Sequence, residues 1–438
     1  MTWLEPDLEQ FPSLTWDGIA PHASTEIRRL LERALERRDG ACLSENDCHA
    51  LANSQGADLL ALLVAADALR RELVGNIVSY VVNRNINFTN VCFVGCKFCA
   101  FSRGPREADS YFLSLEEVGR KTKEAWALGA TEVCIQGGLP HGLPLFYYRD
   151  ILRAVKSAVP GMHIHAFSPM EIVYGVELTG MPLRDYLAML RDEGLGTLPG
   201  TAAEILDDDV RQILSRNKLS TAQWQEVIRT AHASDIPTTS TLMYGHRETP
   251  GHWVRQLLLL RQIQSETGGF TEFVPLSLIH QEAPMYRRGL VPGVRQGATG
   301  LEVVKMHALA RLFLGPLFRN IQSSWVKEGP KLAQLLLASG ANDVGGTLIN
   351  ESISTSAGAS YGQLVPPVEL RRLIRDAGRI PAQRSTTYDL LRLYEVEDGA
   401  DDSPLDHVEN AEARFGSYRM LASSGKFRFL HPTRVQDG

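Results

Sequence analysis

Three cysteines, Cys92, Cys96 and Cys99, stand in a C-x3-C-x2-C pattern within the stretch VVNRNINFTNVCFVGCKFCAF, residues 81–101. Thiolates this close together can each take one iron of a single 4Fe–4S cube. The fourth iron then has no protein ligand and stays open to a small molecule. S-Adenosylmethionine bound there through its amino and carboxylate groups can be cleaved reductively to a 5′-deoxyadenosyl radical, with the protein supplying binding, orientation and exclusion of side reactions. Other uses of the cysteines fit less well. A structural zinc site takes four ligands in paired C-x2-C or H-x3-H spacings. Here Cys96 and Cys99 make one such pair, and no second pair follows. A disulfide framework belongs to short secreted chains, not to 438 residues with six cysteines, three of them in one cluster. The isolated Cys42, Cys48 and Cys134 read as inert buried thiols.

Such a loop needs a rigid scaffold. From Ser79 onward, short apolar runs alternate with amphipathic helices, the pattern of repeated βα units. Strands are expected at Tyr80–Ile86, Thr131–Gln136, Met162–Phe167, Gly196–Leu198, Thr238–Met243, Thr271–Pro275, Arg319–Gln322 and Ala341–Val344. Helices are expected at about 149–158, 182–192, 253–266, 301–314 and 330–338. Ser114 with Glu117 and Ser220 with Gln223 make capping boxes that open two more. Eight units in about 270 residues match an α/β (β/α)8 TIM-type barrel, in preference to an open doubly wound sheet. Residues 1–77 read as a helical N-terminal cap: Thr25–Arg37 and Asp58–Val74 carry apolar residues at i, i+3, i+4, and Ser44 is placed as an N-cap. The barrel then covers 78–360. A C-terminal extension, 361–438, holds a helix near Val368–Asp376 and an acidic linker at 395–404.

Barrel enzymes keep their sites where the strands end. The second strand ends in Gln136, Gly137 and Gly138, where absent side chains either admit a ligand or make a tight turn. Ser168 and Glu171 follow the third strand and serve either a ribose or amino-acid group, or the cap of the next helix. His165 lies within that strand, as a proton relay or as a hydrogen-bonded core histidine. Glu204 follows the fourth strand, as an anchor for a cationic amine or as a first-turn carboxylate stabilised by the helix dipole. His246, Trp325 and Lys327 end the fifth and seventh strands; an aromatic ring with a cation suits a planar polar substrate, though a Trp is equally ordinary packing. Asn342, Asp343, Thr347 and Glu351 close the ring.

Composition narrows the field. Lys plus Arg number 45 against 51 Asp plus Glu, a formal charge of −6 with no basic tract, so nucleic acid is not an expected partner. The N-terminus lacks the basic and apolar regions of a signal peptide. The longest apolar run, Leu59–Ala66, falls far short of the ~20 residues that span a bilayer. A soluble protein with no membrane partner follows, and an oxygen-sensitive cluster implies a reducing cytoplasm.

The stretches NRNINFTNVCFVGCKFCAF, IQGGLP, HIHAFSPMEI, LPGTAAEILDDDVR, STLMYGH, TEFVPLSLIH, IQSSWVKEG and ANDVGGTLINESIS are spread over every barrel unit between about Tyr80 and Leu390. Together they resemble the radical S-adenosylmethionine enzymes that build the deazaflavin chromophore, the tyrosine-using branch in particular. That resemblance implies a 4Fe–4S cluster on Cys92, Cys96 and Cys99, with Phe98, Gln136, Gly137 and Gly138 near S-adenosylmethionine. It implies hydrogen abstraction from the amine of L-tyrosine and cleavage of its Cα–Cβ bond. The 4-hydroxybenzyl group then joins C5 of 5-amino-6-(D-ribitylamino)uracil, releasing 2-iminoacetate, methionine and 5′-deoxyadenosine. An electron-donor protein is implied as well. So is a separate radical enzyme for ring closure, since chains that perform both reactions need two cysteine loops and this sequence has one. The larger family includes the menaquinone futalosine-pathway enzymes aminofutalosine synthase and dehypoxanthine futalosine cyclase, which share the NINFTN-type lead-in. The wording SPMEI and TEFVPLSLIH resembles the deazaflavin branch more closely. The cap and the tail after Leu390 fall outside the resemblance.

Overall fold

In the computed structural model, which describes residues 15–38, 40–395 and 403–430, nine strands form among the described residues. They are β1 (Ile77–Val81), β2 (Asn83–Ile86), β3 (Glu132–Ile135), β4 (His163–Ala166), β5 (Thr238–Tyr244), β6 (Phe270–Ser277), β7 (Asp343–Gly346), β8 (Ile380–Arg384) and β9 (Leu390–Leu393). The first expected strand is thus split. β1 pairs in parallel with β7 and β8, whereas β2 pairs in parallel with β3. The break at Val82 is where the chain changes neighbours. β3 continues to β4, and β5 pairs with β6.

Two expected strands, Gly196–Leu198 and Arg319–Gln322, are reduced to single parallel bridges. His165 pairs with Thr197, Leu198 with Thr238, Phe273 with Ile321, and Gln322 with Asp343. Side chains displace ladder bonds at the second of these: Ile321 N donates to Asn342 Oδ1 at 2.9 Å and Asn320 Nδ2 to Thr271 O at 3.0 Å. The bridges still carry the order from β4 to β5 and from β6 to β7, and β7 returns to β1. Eight parallel staves therefore follow one another as in a TIM-type α/β fold, with their C-terminal ends at one mouth.

β8 and β9 lie beyond the eight expected strands. β8 hydrogen-bonds to β1 in parallel and to β9 antiparallel, so residues 380–384 belong to the wall itself. The turn that follows crosses the N-terminal ends of the staves. Arg384 Nε donates to Asp343 Oδ2 at 2.6 Å and its guanidinium stacks 3.9 Å from the Tyr388 ring. Tyr388 OH donates to Glu272 Oε2 at 2.5 Å, and Ser79 Oγ to Asp343 Oδ2 at 2.6 Å. Polar periodicity such as RSTTYD gives no sign of burial, which is why this floor was not legible in the sequence.

The cap helices form as the periodicity predicts, at Thr25–Arg37, Glu45–Ala52 and Gly56–Val74, with Ser44 and Asp47 in a capping box. They pack on the outer helices Pro250–Thr267 and Gly300–Leu314. Fully buried leucines such as Leu31, Leu62 and Leu69 contribute about 1.5–3 kcal/mol each. The apolar core runs unbroken from the cap through the barrel to Phe415 of the tail. Ser220 and Gln223 form the expected capping box. Ser114 caps its helix alone, because the Glu117 carboxylate turns to Arg120 at 2.6 Å. A further box, Ser168 with Glu171, opens the helix Pro169–Thr179. No helix among the described residues is long and apolar enough to cross a membrane. Of the expected acidic linker, residues 396–402 lie outside the described residues.

Two stability predictions follow from these buried groups. Arg384→Ala strands the fully buried Asp343 carboxylate, and is expected to cost about 3–5 kcal/mol in denaturant unfolding. Glu171 is 1% exposed and accepts from Ser168 N at 2.6 Å, Ser168 Oγ at 2.7 Å and Gly137 N at 3.1 Å. Burial pushes its carboxyl up to about 7 against the pull of those bonds. A carboxyl raised above its usual 4.5 holds its proton more tightly when folded, so the linked stability is full below about pH 4.5 and is lost as the pH rises through 7. Glu171→Gln keeps a capping-box residue and is expected to flatten that pH dependence of unfolding.

Candidate active site

The loop after β2 is fastened by its own lead-in. Asn90 Nδ2 donates to Asp109 O at 2.8 Å, and Asn90 Oδ1 accepts from Tyr111 N at 2.9 Å. Thr89 Oγ1 donates to Tyr111 O at 2.6 Å, and Tyr111 OH to Asn87 O at 2.9 Å. Asn87 Nδ2 reaches Gln136 O at 3.1 Å and so ties the loop to the end of β3. On the far side Lys97 N donates to Leu214 O at 2.8 Å and Met285 N to Lys97 O at 2.7 Å. Gly95, at φ +72°, supplies the left-handed turn between the first two cysteines.

Gly137 and Gly138 are expected to admit a ligand; what approaches them here is the cysteine loop. A Cβ on Gly137 would lie 2.6 Å from the Phe88 ring, and one on Gly138 2.2 Å from Val91 O and 3.1 Å from Cys92 Cβ. The Gly137 N–H is taken by Glu171. Ser168 and Glu171 thus adopt the capping alternative and brace the same edge.

Lys218, which carries no sequence signature, draws several expected residues together. Its Nζ donates to Glu204 Oε1 at 2.6 Å and lies 5.3 Å from the Phe98 ring centroid. Glu204 Oε2 stands 3.8 Å from Arg211 and accepts no hydrogen bond although buried. Gln136 Nε2 donates to Thr201 Oγ1 at 2.8 Å on the same side. Backbone strain gathers here too. Five non-glycine residues with positive φ follow stave ends: Phe167, Ala202, Glu204, Leu348 and Asn350. Each costs on the order of 1–3 kcal/mol, and such residues cluster at functional sites.

The remaining candidates divide. His246 is fully buried and spent inside its own loop, with Nε2 on Met243 O at 2.9 Å, Nδ1 accepting from Arg247 N at 2.7 Å, and Glu248 3.1 Å away. Trp325 donates Nε1 to Gly346 O at 2.9 Å and packs in the wall. Glu351 accepts from Ser354 N at 3.0 Å and Thr355 N at 3.3 Å, closing a helical turn. These three hold structure. His165 Nδ1 and His163 Nε2 share Thr197 Oγ1 at 2.7 and 2.9 Å. Burial lowers His165 to about 4 against the pull of Glu132, so it is neutral at ordinary pH. Lys327 differs from all of these. Among the described residues its ammonium has no hydrogen-bond or ion-pair partner; burial lowers its pKa, while Glu351, Glu328 and Cys99 pull it back up. It lines a cavity of about 230 Å³ with Ser277, His280, Gln296 and Glu328.

Does this arrangement fit a cluster? Among the described residues no three His, Cys, Asp or Glu side chains converge on one metal-ion position, so the loop does not build a tetrahedral single-ion site. A cube instead asks each thiolate to take its own iron. The cysteines form no disulfide, and Cys92 and Cys99 both act electrostatically on Cys96. Burial pushes Cys96 up to about 12 and Cys99 upward as well, with Lys218 opposing in both cases. Thiols held this way ionise beside strong positive charge, which metal ions supply. The donor set fits three irons of a cluster. Glu204 Oε2 accepts no hydrogen bond and keeps Arg211 3.8 Å away as its ion-pair neighbour.

Two family models match the chain: the radical SAM superfamily over residues 86–260 and the CofH/MqnC C-terminal region over 267–396. The chain is 48% identical over 374 residues to the 5-amino-6-(D-ribitylamino)uracil–L-tyrosine 4-hydroxyphenyl transferase of Methanothermobacter thermautotrophicus, a match covering 85% of this chain and 99% of that one. It is 47% identical over 386 residues to the FO synthase of Mycobacterium leprae, covering 86% of this chain but 44% of that longer protein. The solved structure of the FeFe-hydrogenase maturase HydG from Carboxydothermus hydrogenoformans superposes with a TM-score of 0.64 at 17% identity, covering 85% of this chain and 83% of that one; at that identity it supports the fold alone. The chain belongs to the radical SAM superfamily, with its S-adenosylmethionine and 4Fe–4S cofactors, and within it to the family of the 5-amino-6-(D-ribitylamino)uracil–L-tyrosine 4-hydroxyphenyl transferases.

Proposed function

We propose that this chain joins the 4-hydroxybenzyl group of L-tyrosine to C5 of 5-amino-6-(D-ribitylamino)uracil in the synthesis of the deazaflavin coenzyme FO. 2-Iminoacetate, methionine and 5′-deoxyadenosine are the other products. The observation that carries this reading is a three-thiol loop at the mouth of a TIM-type fold, in a chain 48% identical to a transferase of that name over 99% of the relative's length. When bound, the cluster and S-adenosylmethionine supply the 5′-deoxyadenosyl radical that takes hydrogen from the tyrosine amine.

The protein's own residues have the remaining tasks. Cys92, Cys96 and Cys99 hold the cluster, and Gly137 and Gly138 let their loop lie against the end of β3. Glu204, steadied by Lys218, offers its free oxygen to an ammonium group, with Phe98 and Gln136 flanking it. Ser168 and Glu171 brace that edge. Lys327, unpartnered beside its cavity, suits a carboxylate, and neutral His165 suits the polar edge of the aminouracil. His246, Trp325 and Glu351 support the walls that position these groups.

The reading divides the chain into a helical cap 1–77, a radical SAM barrel 78–360 and an extension 361–438, with β8 of the extension hydrogen-bonded into the wall. An electron-donor protein, a reducing cytoplasm and a second radical SAM centre for ring closure complete it. The sequence holds one C-x3-C-x2-C loop, which accounts for one of the two reactions that lead to FO.

Three experiments test the proposal. Anaerobically reconstituted protein given S-adenosylmethionine, a reductant, tyrosine and the aminouracil is expected to yield the coupled product by mass, together with 5′-deoxyadenosine. Turnover of futalosine-type substrates in its place would transfer the chain to the menaquinone branch. Cys96→Ala is expected to abolish 5′-deoxyadenosine formation while the melting curve stays close to wild type. Gly138→Ala drives a Cβ to within 2.2 Å of Val91 O, and is expected to lower iron content after reconstitution by displacing the loop.

A further inference from the structure

Residues 403–430 follow both family models, the second of which ends at 396, yet they return to the barrel beside the cysteine loop. Phe112 N donates to Phe427 O at 2.7 Å and Phe429 N to Ser110 O at 3.1 Å. Tyr418 packs on Phe101 with ring centroids 5.6 Å apart. Between this segment, the end of β2 and the helix Leu115–Ala127 lies a cavity of about 200 Å³, walled by Ile86, Leu113, Phe415, Met420 and Phe427. It is separate from the cavity beside Lys327.

One charged side chain in its lining is unaccounted for. Lys121 is 8% exposed, and among the described residues its ammonium has neither a hydrogen-bond nor an ion-pair partner. Lysines are almost never fully buried unless paired, and an uncompensated buried charge is costly. The nearby carboxylates are already engaged: Glu117 with Arg120 at 2.6 Å and Glu124 with Arg84 at 2.6 Å. Lys426 adds a further cation 3.8 Å from Glu117. Four cations therefore face two carboxylates; of these six groups Glu117, Arg120 and Lys121 line the cavity, whose wall is part apolar and part amide and hydroxyl. Burial, then the Arg84 charge, lowers Lys121 to about 8, although Glu117 and Glu124 pull it back up. A 150 Å³ apolar cavity is enough to take benzene, so this one has room for a ring with a short acidic arm.

We propose that this cavity binds a small monocarboxylic acid with an apolar body, its carboxylate paired with the Lys121 ammonium. The occupant would join the tail to the barrel at the base of the cysteine loop, since Asn87 lines the same cavity and fastens that loop. The proposal is independent of the coupling reaction.

Calorimetric titration of the full-length, cluster-loaded protein with phenylacetate and with phenylacetamide tests it. Phenylacetate is expected to bind once per chain with a Kd of about 1 mM or tighter, and the neutral amide about tenfold more weakly or not at all. Lys121→Met is expected to weaken phenylacetate about tenfold or more while melting no lower than wild type, because it removes a charge that has no partner. Leu421→Trp, which fills the chamber from the tail side, is expected to abolish binding with Lys121 intact. Absence of binding to the wild type, equal binding of the amide, or affinity unchanged in Lys121→Met would each overturn the proposal; the last would place phenylacetate in the tyrosine site instead.

Discussion

The close approach of the cysteine loop to the end of β3 is the contact on which the rest of the mouth depends. Backbone and ring atoms of Phe88, Val91 and Cys92 occupy the space that side chains at Gly137 and Gly138 would fill. Close-packed interiors do not yield a missing ångström cheaply. The loop is therefore registered by sterics from below, and by the amides and hydroxyl of Asn87, Thr89 and Asn90 along its length. The irregular segment that carries the three thiols is held against the end of β3 in this way. A site built on a loop attains the precision of one built on strands.

Much of this was legible from residue types and spacing. The alternation of strand and helix and the serine caps act through local physics; most of the strands and the Ser44 and Ser220 capping residues reappear in the structure, while Ser114 caps without its expected Glu117 partner. What was not legible depends on contacts between distant segments. Lys218 sits in an unremarkable SRNKLS stretch, and only the fold brings it to Glu204, Phe98 and the thiols. The staves at 196–198 and 319–322 follow the strand pattern, yet local side-chain hydrogen bonds and neighbouring glycines reduce them to single bridges. His246, Trp325 and Glu351 look like mouth residues by position, because position alone does not reveal that their polar atoms are already bonded.

Charge inside the barrel is organised by depth. At the floor, Arg384, Asp343 and Glu272 form a satisfied network under Tyr388. At the mouth, by contrast, one Glu204 oxygen accepts no hydrogen bond, and the Lys327 ammonium has neither a hydrogen-bond nor an ion-pair partner among the described residues. Buried polar groups are stable when fully bonded and available to ligands when not.

The position of β8 bears on how small the enzyme can be made. By pairing with the lower half of the first stave, it occupies an edge that eight βα units alone would leave bare. A version trimmed to those eight units would expose that backbone to strand addition from other chains and uncap the carboxylates beneath it. The minimal soluble catalyst therefore extends past the β9 hairpin, and any fusion partner is better attached beyond that point than at the last barrel helix.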